Sequence, residues 1–374
     1  MRSAWPDLAP AERGALLEVL IHGPLPRAEI ARRLGLSRAT LTRITRTLVE
    51  AGLLSEGATE LRATTGRPSE MLQLRTDTRR FLGVKLTGDT LYAVVTDLGA
   101  RILSSIEEPL VTTEVDDVVD QIAAVAARME VEHPGLTAIG VCLAGDVANR
   151  GGEGIVTVSP FLGWRDVPLG VLLQQRTGHP SAAQNDVLAL TAAEHWFGAG
   201  AGLDSMALLT VGIGLGFGLV VHGQVVTGAH GRPGRLSHVI IDSGGPICKR
   251  GHRGCASTYL VNDAIVTALG GAPLDYEGAL RRAREGDPAA RRAFEDAGVA
   301  LGALIALVVN TIDPEKVILS GDGLAIYELA ADRVHHAMDE ALDTGSTVNL
   351  DVQPFDFSEW ARAGAVLAIR SVLS

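Results

Sequence analysis

Residues 36–54 read LSRATLTRITRTLVEAGLL, and this stretch limits what the chain can be more than any other. Ser37 is a favourable N-cap, because its hydroxyl accepts from an amide that the first helical turn leaves unpaired. Leu41, Ile44 and Leu48 follow at helical spacing and face a core, which leaves Arg38, Ala39, Thr42, Arg43 and Arg46 on the outer side. Gly52 supplies the helix stop. Upstream, residues 11–21 form an apolar-periodic helix and 26–34 a short second one, with a tight turn at Gly35-Leu36-Ser37. Downstream lies Gly66-Arg67-Pro68, a rigid loop tip. Together these elements spell a winged helix-turn-helix. An Arg/Thr face at a helix N-terminus suits a major groove, and an arginine on a narrow tip suits a minor groove or a phosphate. The expected contacts to double-stranded DNA are Ser37, Arg38, Thr40, Thr42, Arg43 and Arg46 from the helix. Arg67 is expected to contact it from the wing, with Arg62 as a weaker backbone contact. The competing reading is an ordinary three-helix bundle with a basic solvated face.

Charge distribution favours the DNA reading. The 374 residues carry a net charge of −11, but residues 1–80 hold 13 arginines against 9 acidic residues. That is a head of about +4 on a body of about −15, as expected of a DNA reader with a separate sensing part. Three cysteines, no secretory leader and no long unbroken apolar span are features of a soluble cytoplasmic protein. The most apolar stretch, 206–221, is cut by Gly212, Gly214, Gly216 and Gly218, so it reads as two buried strands and a turn. Cys142, within the apolar run 139–144, is expected to be a buried structural thiol.

A polar joint at 75–80 leads into the body. There, expected strands at 81–85, 91–96, 137–143, 207–211, 216–221 and 316–320 alternate with helices at 115–131, 188–197 and 289–310. Such alternation means an α/β architecture, and the length allows two units of it. Four further runs stand out: Ser159-Pro160-Phe161-Leu162-Gly163-Trp164, Gln184-Asn185-Asp186, the glycine-rich 212–218, and Asn310-Thr311-Ile312-Asp313-Pro314. With His238, Cys248, Cys255 and the winged helix, they make the whole chain resemble transcriptional regulators of the ROK family (repressors, open reading frames and kinases). The resemblance implies a winged helix-turn-helix at 1–75, followed by an actin-like, ribonuclease-H-like two-lobed sugar-kinase fold. Lobe 1 would be 80–184 plus 357–374, and lobe 2 would be 185–356. It also implies homodimers or homotetramers on pseudo-palindromic operators.

Phosphoryl transfer needs a base and a metal-positioning phosphate cradle. Asp186 matches the family's catalytic base. In the family's kinases the first strand runs into Asp-x-Gly-Gly-Thr, whereas here Lys85 stands at the acid, in Gly83-Val84-Lys85-Leu86-Thr87-Gly88-Asp89. The second phosphate loop has Ile213 where kinases carry a threonine between glycines. A lysine cannot hold Mg²⁺ and an isoleucine offers no hydroxyl, so Asp186 is expected to be vestigial and no ATP is expected.

The sugar pocket departs from the family as well. Asn185, Asp186 and His238 remain, with Gly163 nearby in its motif, but Arg235 and Ser237 replace the Glu-x-Gly-His pattern and Ser257 replaces a later Glu. Either Arg235 helps bind an anionic or other sugar-derived effector, or it pairs with Asp186 or Asp242 and closes an unused pocket. The family's zinc spacing survives as His238-x9-Cys248-x6-Cys255, but the additional family cysteine is Arg250. A site of three ligands is short for structural zinc, and His252 in the same loop is the available substitute. The reading that combines these points is a DNA-binding regulator, a repressor of carbohydrate-related genes, with a catalytically degenerate sensing body. The alternatives are a ROK sugar kinase and an effector-independent DNA-binding regulator.

Overall fold

Ser37 caps the recognition helix as its residue type predicts: its hydroxyl oxygen accepts from the Thr40 amide at 3.1 Å. The computed structural model of the chain describes residues 5–60, 69–148, 154–229, 231 and 234–373. Its head contains α1 (Pro10–His22), β1 (Leu25–Pro26), α2 (Arg27–Arg33), α3 (Arg38–Glu50), β2 (Leu54–Glu60) and β3 (Ser69–Leu74). Leu41, Ile44, Thr45 and Leu48 are the buried side of α3. β2 and β3 pair antiparallel and β1 joins the outer side of β3, which makes the wing. The wing tip, with Arg62, Gly66, Arg67 and Pro68, lies outside the described residues. Replacing Ser37 by Ala removes the cap and is expected to lower stability by about 1 kcal/mol. Urea titration of the variant checks this, and an unchanged midpoint would contradict it.

Arg27 locks the head together. Its Nε donates to Thr45 Oγ1 on α3 at 3.1 Å, and its two terminal nitrogens reach Glu56 on β2 and Glu70 on β3. The joint at 75–80 is a packed seam. The Arg75 amide donates to Leu53 O at 2.9 Å, and the Thr78 hydroxyl donates to Gly52 O at 3.2 Å. Arg79 is buried against the Trp5 ring, which meets Phe81 edge-on at 6.2 Å. Burial pulls the Arg79 guanidinium below its ordinary pKa.

Two compact units are present, Met1–Gly202 with Phe357–Ser374, and Leu203–Asp356. Beyond the head, the first unit holds β4 (Arg80–Leu86), β5 (Thr90–Thr96), β6 (Ile102–Pro109), α4 (Val115–Glu132) and β7 (Leu136–Leu143). After these come β8 (Asp146–Ala148), β9 (Ile155–Ser159), β10 (Trp164–Val167), α5 (Leu169–Thr177), β11 (Ser181–Asn185) and α6 (Asp186–Phe197). Its main sheet has the order β11-β7-β4-β5-β6. Residue 185, where the second lobe is expected to begin, falls at the start of α6 and within this unit. The C-terminal helix (Phe357–Leu373) packs on the sheet through glycines. A Cβ on Gly83 would stand 2.0 Å from Ala361 O, and one on Gly140 would stand 2.0 Å from Gly364 O. Only glycine permits that approach.

The second unit holds β12 (Met206–Thr210), β13 (Gly216–Val221), β14 (Gln224–Val225), α7 (Ser257–Leu260), α8 (Asn262–Ala268) and α9 (Tyr276–Arg284). It continues with α10 (Pro288–Ile312), β15 (Val317–Ser320), α11 (Ala325–Ala341) and β16 (Leu350–Val352). The sheet order is β14-β13-β12-β15-β16. In both units the first three strands run antiparallel as a meander, and two further strands add parallel to the first. This repeated topology is the one expected of a two-lobed actin-like body. Among the described residues α10 alone is long and apolar enough to cross a membrane, but 67% of its apolar window is buried in the protein's own core. The Asn310–Pro314 motif is structural: the Asn310 carboxamide donates to Ala341 O and accepts from the Asp343 amide, joining the ends of α10 and α11.

Candidate nucleic-acid interface and sensing residues

Arg38, Thr42, Arg43 and Arg46 are exposed along one side of α3, opposite the buried leucines, and Thr40 is half-buried. The arginines of α2 and α3 divide into two groups. On α2, Arg32 and Arg33 pair with Glu29, Arg33 also reaches Glu18, and Arg27 is held by Glu56 and Glu70. Those pairs hold the Glu29 carboxylate down at about 2, first through the Arg32 hydrogen bond and then through Arg33. Arg38, Arg43 and Arg46 have no ion pair among the described residues. Pairing is thus on α2, while α3 carries three guanidinium groups with no ion pair among the described residues, on a surface the core does not use. Phosphate oxygens and guanine edges take such groups bidentately.

In the first unit Asn185 and Asp186 stand at the junction of β11 and α6. The Asn185 side chain caps α6 by accepting from the Leu188 amide at 3.1 Å, and its Nδ2 donates to Gly145 O at 2.9 Å. Asp186 Oδ1 accepts from the Val187 amide at 3.0 Å, and Oδ2 is held by Lys85 Nζ. Lys85 and Asp186 are 5% and 7% exposed, so this is a buried ion pair. The ammonium also lies 4.9 Å from the centre of the Trp360 ring. A carboxylate committed to a lysine and to a backbone amide is poorly placed to take a proton from a hydroxyl. Cys142, in the same core, donates its thiol to Trp360 O at 3.2 Å, and burial pushes its pKa up to about 12. It is an inert structural thiol. Gly163 occupies the β9–β10 turn with φ +72°, beside the exposed Phe161.

In the second unit Arg235 is exposed and His238 half-buried at a short 3-10 turn. Asp186 holds Lys85, and Asp242 accepts from the Tyr259 hydroxyl at 2.6 Å and the Gly244 amide at 2.8 Å. His238, Cys248, His252 and Cys255 come together, with ligand atoms all within 4.8 Å of one another. His252 thus joins His238, Cys248 and Cys255 in a group that could hold a metal ion. Arg250 contributes its backbone amide, which donates to Cys248 Sγ at 3.4 Å. Burial opposes ionisation of Cys248, but the amides of Arg250, His252 and Gly251 together with the Cys255 thiol lower the thiol's pKa on balance. Burial, aided by Arg250 and His252, also lowers the pKa of the His238 imidazole, which favours the neutral form a ligand needs. Two thiols and two imidazoles are a recognised donor set for tetrahedral zinc. In such a site, bond lengths of about 2.0–2.3 Å put ligand atoms roughly 3–4 Å apart, so only a small contraction is needed. This group can hold a metal ion.

Comparison with known proteins bears on both halves. The model of the ROK family matches residues 81–366. The chain belongs to the ROK family. A MarR family model matches residues 7–62, over the head. The sequence is 26% identical over 314 residues to the DNA-binding transcriptional repressor Mlc of Escherichia coli K12, covering 79% of this chain and 77% of the relative. It is 31% identical over 261 residues to the glucokinase of Thermotoga maritima, covering 65% of this chain and 81% of that enzyme. A crystal structure of a ROK family transcriptional regulator, described as a homologue of the Escherichia coli Mlc protein, superposes with a TM-score of 0.80 at 26% identity. It covers 97% of this chain and 96% of the other.

Proposed function

We propose that this ROK protein is a cytoplasmic DNA-binding transcription regulator, a repressor of carbohydrate-related genes, whose body senses a small ligand and does not transfer phosphate. It has a reading head at 1–75 and a two-lobed sensor formed by the remainder. The observation that carries this reading is the exposed set Arg38, Arg43 and Arg46 on the outer face of α3, with no ion pair among the described residues. Ser37, Thr40 and Thr42 would add hydrogen bonds along the same face, and Arg67 would grip from the wing. Phosphate contacts set affinity and register, while the first turns of α3 set sequence preference. One small head gives limited affinity, so the chain is expected to work as a homodimer or homotetramer. Half-sites would then lie about one helical turn apart, or a multiple of it. Selection of duplexes from a random pool by the full chain tests this. Enrichment of an inverted repeat supports it, and a pool without enrichment overturns it.

The relation to a glucokinase favours a sugar-derived effector, and Asn185, Asp186 and Gly163 of the first unit are its candidate contacts. Asp186 and Asn185 begin α6, and Phe197 ends it. Phe197 lines a cleft of 330 Å³ with Val19, Leu20, Gln73 and Leu74 of the head. A ligand at the start of α6 can therefore bias the seating of the head, provided it binds one arrangement better than the other. The buried Lys85–Asp186 pair speaks against the kinase alternative. ATP turnover with a panel of hexoses is expected to stay at background, and turnover abolished by Asp186→Ala would establish a kinase instead.

Zinc in the His238, Cys248, His252 and Cys255 group would pin the loop 238–255 to α7. Metal analysis of protein purified without chelator or metal-affinity resin is expected to give about one zinc per chain, and His252→Ala to reduce it. A content near zero in the unaltered chain would remove the proposal.

A further inference from the structure

The glycine-rich segment that follows β12 and the turn that follows β15 meet at backbone distance. The Val211 amide donates to Ser320 O at 3.0 Å, and the Gly323 amide donates to Val211 O at 2.9 Å. Asp322 stands in that second turn, between Gly321 and Gly323. Its carboxylate lies directly against Gly212, where a Cβ would stand 1.8 Å from Asp322 Oδ1. Gly212 has φ +154° and no side chain, so both its conformation and its lack of bulk admit the acid. The Ile213 amide donates to Asp322 Oδ1 at 3.3 Å, and Asn262 Nδ2 donates to Oδ2 at 2.9 Å. The Asn262 amide in turn donates to Gly212 O at 2.8 Å, which closes the arrangement.

Backbone amides of glycine-rich loops hold phosphate oxygens because they offer unpaired donors in a concave arrangement. Here a donor of that segment is already engaged, by an anion carried on the chain itself. The carboxylate brings negative charge to the place where nucleotide phosphates would bring more. We propose that Asp322 is a tethered anion that occupies the phosphate position of the 212–218 segment and closes it to nucleotides. The Ile213 substitution removes a hydroxyl, whereas Asp322 fills the space and reverses the charge preference. The loop keeps a ligand-occupied form with no nucleotide present. This inference rests on reading the segment as a former phosphate loop and is independent of the head.

Titration of the full chain with a fluorescent ADP analogue, with and without Mg²⁺, tests it. The unaltered chain is expected to give no saturable signal through the millimolar range. Asp322→Gly is expected to gain affinity by at least about tenfold. Asp322→Asn, which keeps the shape and removes the charge, is expected to gain less. It decides the matter alone if the glycine variant does not fold. Two results would overturn the proposal. One is folded variants that bind no better than the unaltered chain. The other is Mg²⁺-dependent binding by the unaltered chain that Asp322→Gly loses, which would make Asp322 a metal-positioning residue. Duplex selection by the same variants reads the head separately, so failure here is distinguishable from failure of the regulator reading.

Discussion

Arg43→Ala is expected to weaken operator binding by about 1–3 kcal/mol, roughly 5- to 150-fold, with no measurable loss of folding stability. The side chain is exposed on α3 and has no ion pair among the described residues, so its removal should change stability by less than about 0.5 kcal/mol. Salt dependence separates two roles. If Arg43 grips a phosphate, the slope of log affinity against log salt falls by about one and every duplex weakens alike. If it reads a guanine, the loss concentrates on the preferred sequence and specificity relaxes at one position. Arg27→Ala is the informative contrast. It breaks the bonds that tie α2 to α3 and to both wing strands, so it should reduce DNA binding through the head's stability. Fluorescence anisotropy across a salt series, with a urea titration of each variant, checks both. Equal stability losses for Arg43→Ala and Arg27→Ala would contradict the division of the arginines of α2 and α3 into those held in ion pairs and those with none among the described residues.

Lys85→Ala should be the most destabilising single change in the body. It removes one partner of a pair that is 5% and 7% exposed and leaves Asp186 charged with no cation beside it. Breaking a buried pair in this way costs about 3–5 kcal/mol, a large part of the 5–15 kcal/mol that holds a domain folded. The contact with Trp360 is lost at the same time. A double change, Lys85→Met with Asp186→Asn, removes both charges and should recover most of the stability. Urea unfolding of the single and double variants measures the effect. A cost under about 1 kcal/mol for Lys85→Ala would mean that water screens the pair.

What the sequence reveals here depends on range. α3 is legible because its cap, periodicity and stop all lie within its own residues, and Ser37, Leu41, Ile44 and Leu48 behave as their types predict. Strands β4, β5, β7, β12, β13 and β15 are legible for the same reason, whereas β6, β11, β14 and β16 in the same sheets carry no such signal. The candidate metal group is legible in part, because His238, Cys248 and Cys255 share one loop and His252 lies within it. Long-range pairings are not. Lys85 is visible as an anomaly at an acid's position, but the carboxylate that neutralises it stands 101 residues away. Asp322 reads as an ordinary turn residue until the fold brings it to Ile213, 109 residues earlier. Arg27 looks like one more basic surface residue, and only the folded wing turns it into a clamp. The 75–80 segment looks like a linker because it is polar, yet the free carbonyls at the end of α3 and the Trp5 ring give it partners.

Genome-wide binding of the unaltered chain beside an Arg43→Ala, Arg67→Ala double variant tests the regulator reading most directly. Discrete sites sharing an inverted repeat, near carbohydrate genes and lost in the folded variant, are the predicted result. The same sites retained by the variant, or none enriched for a folded unaltered chain under several carbon sources, would contradict it.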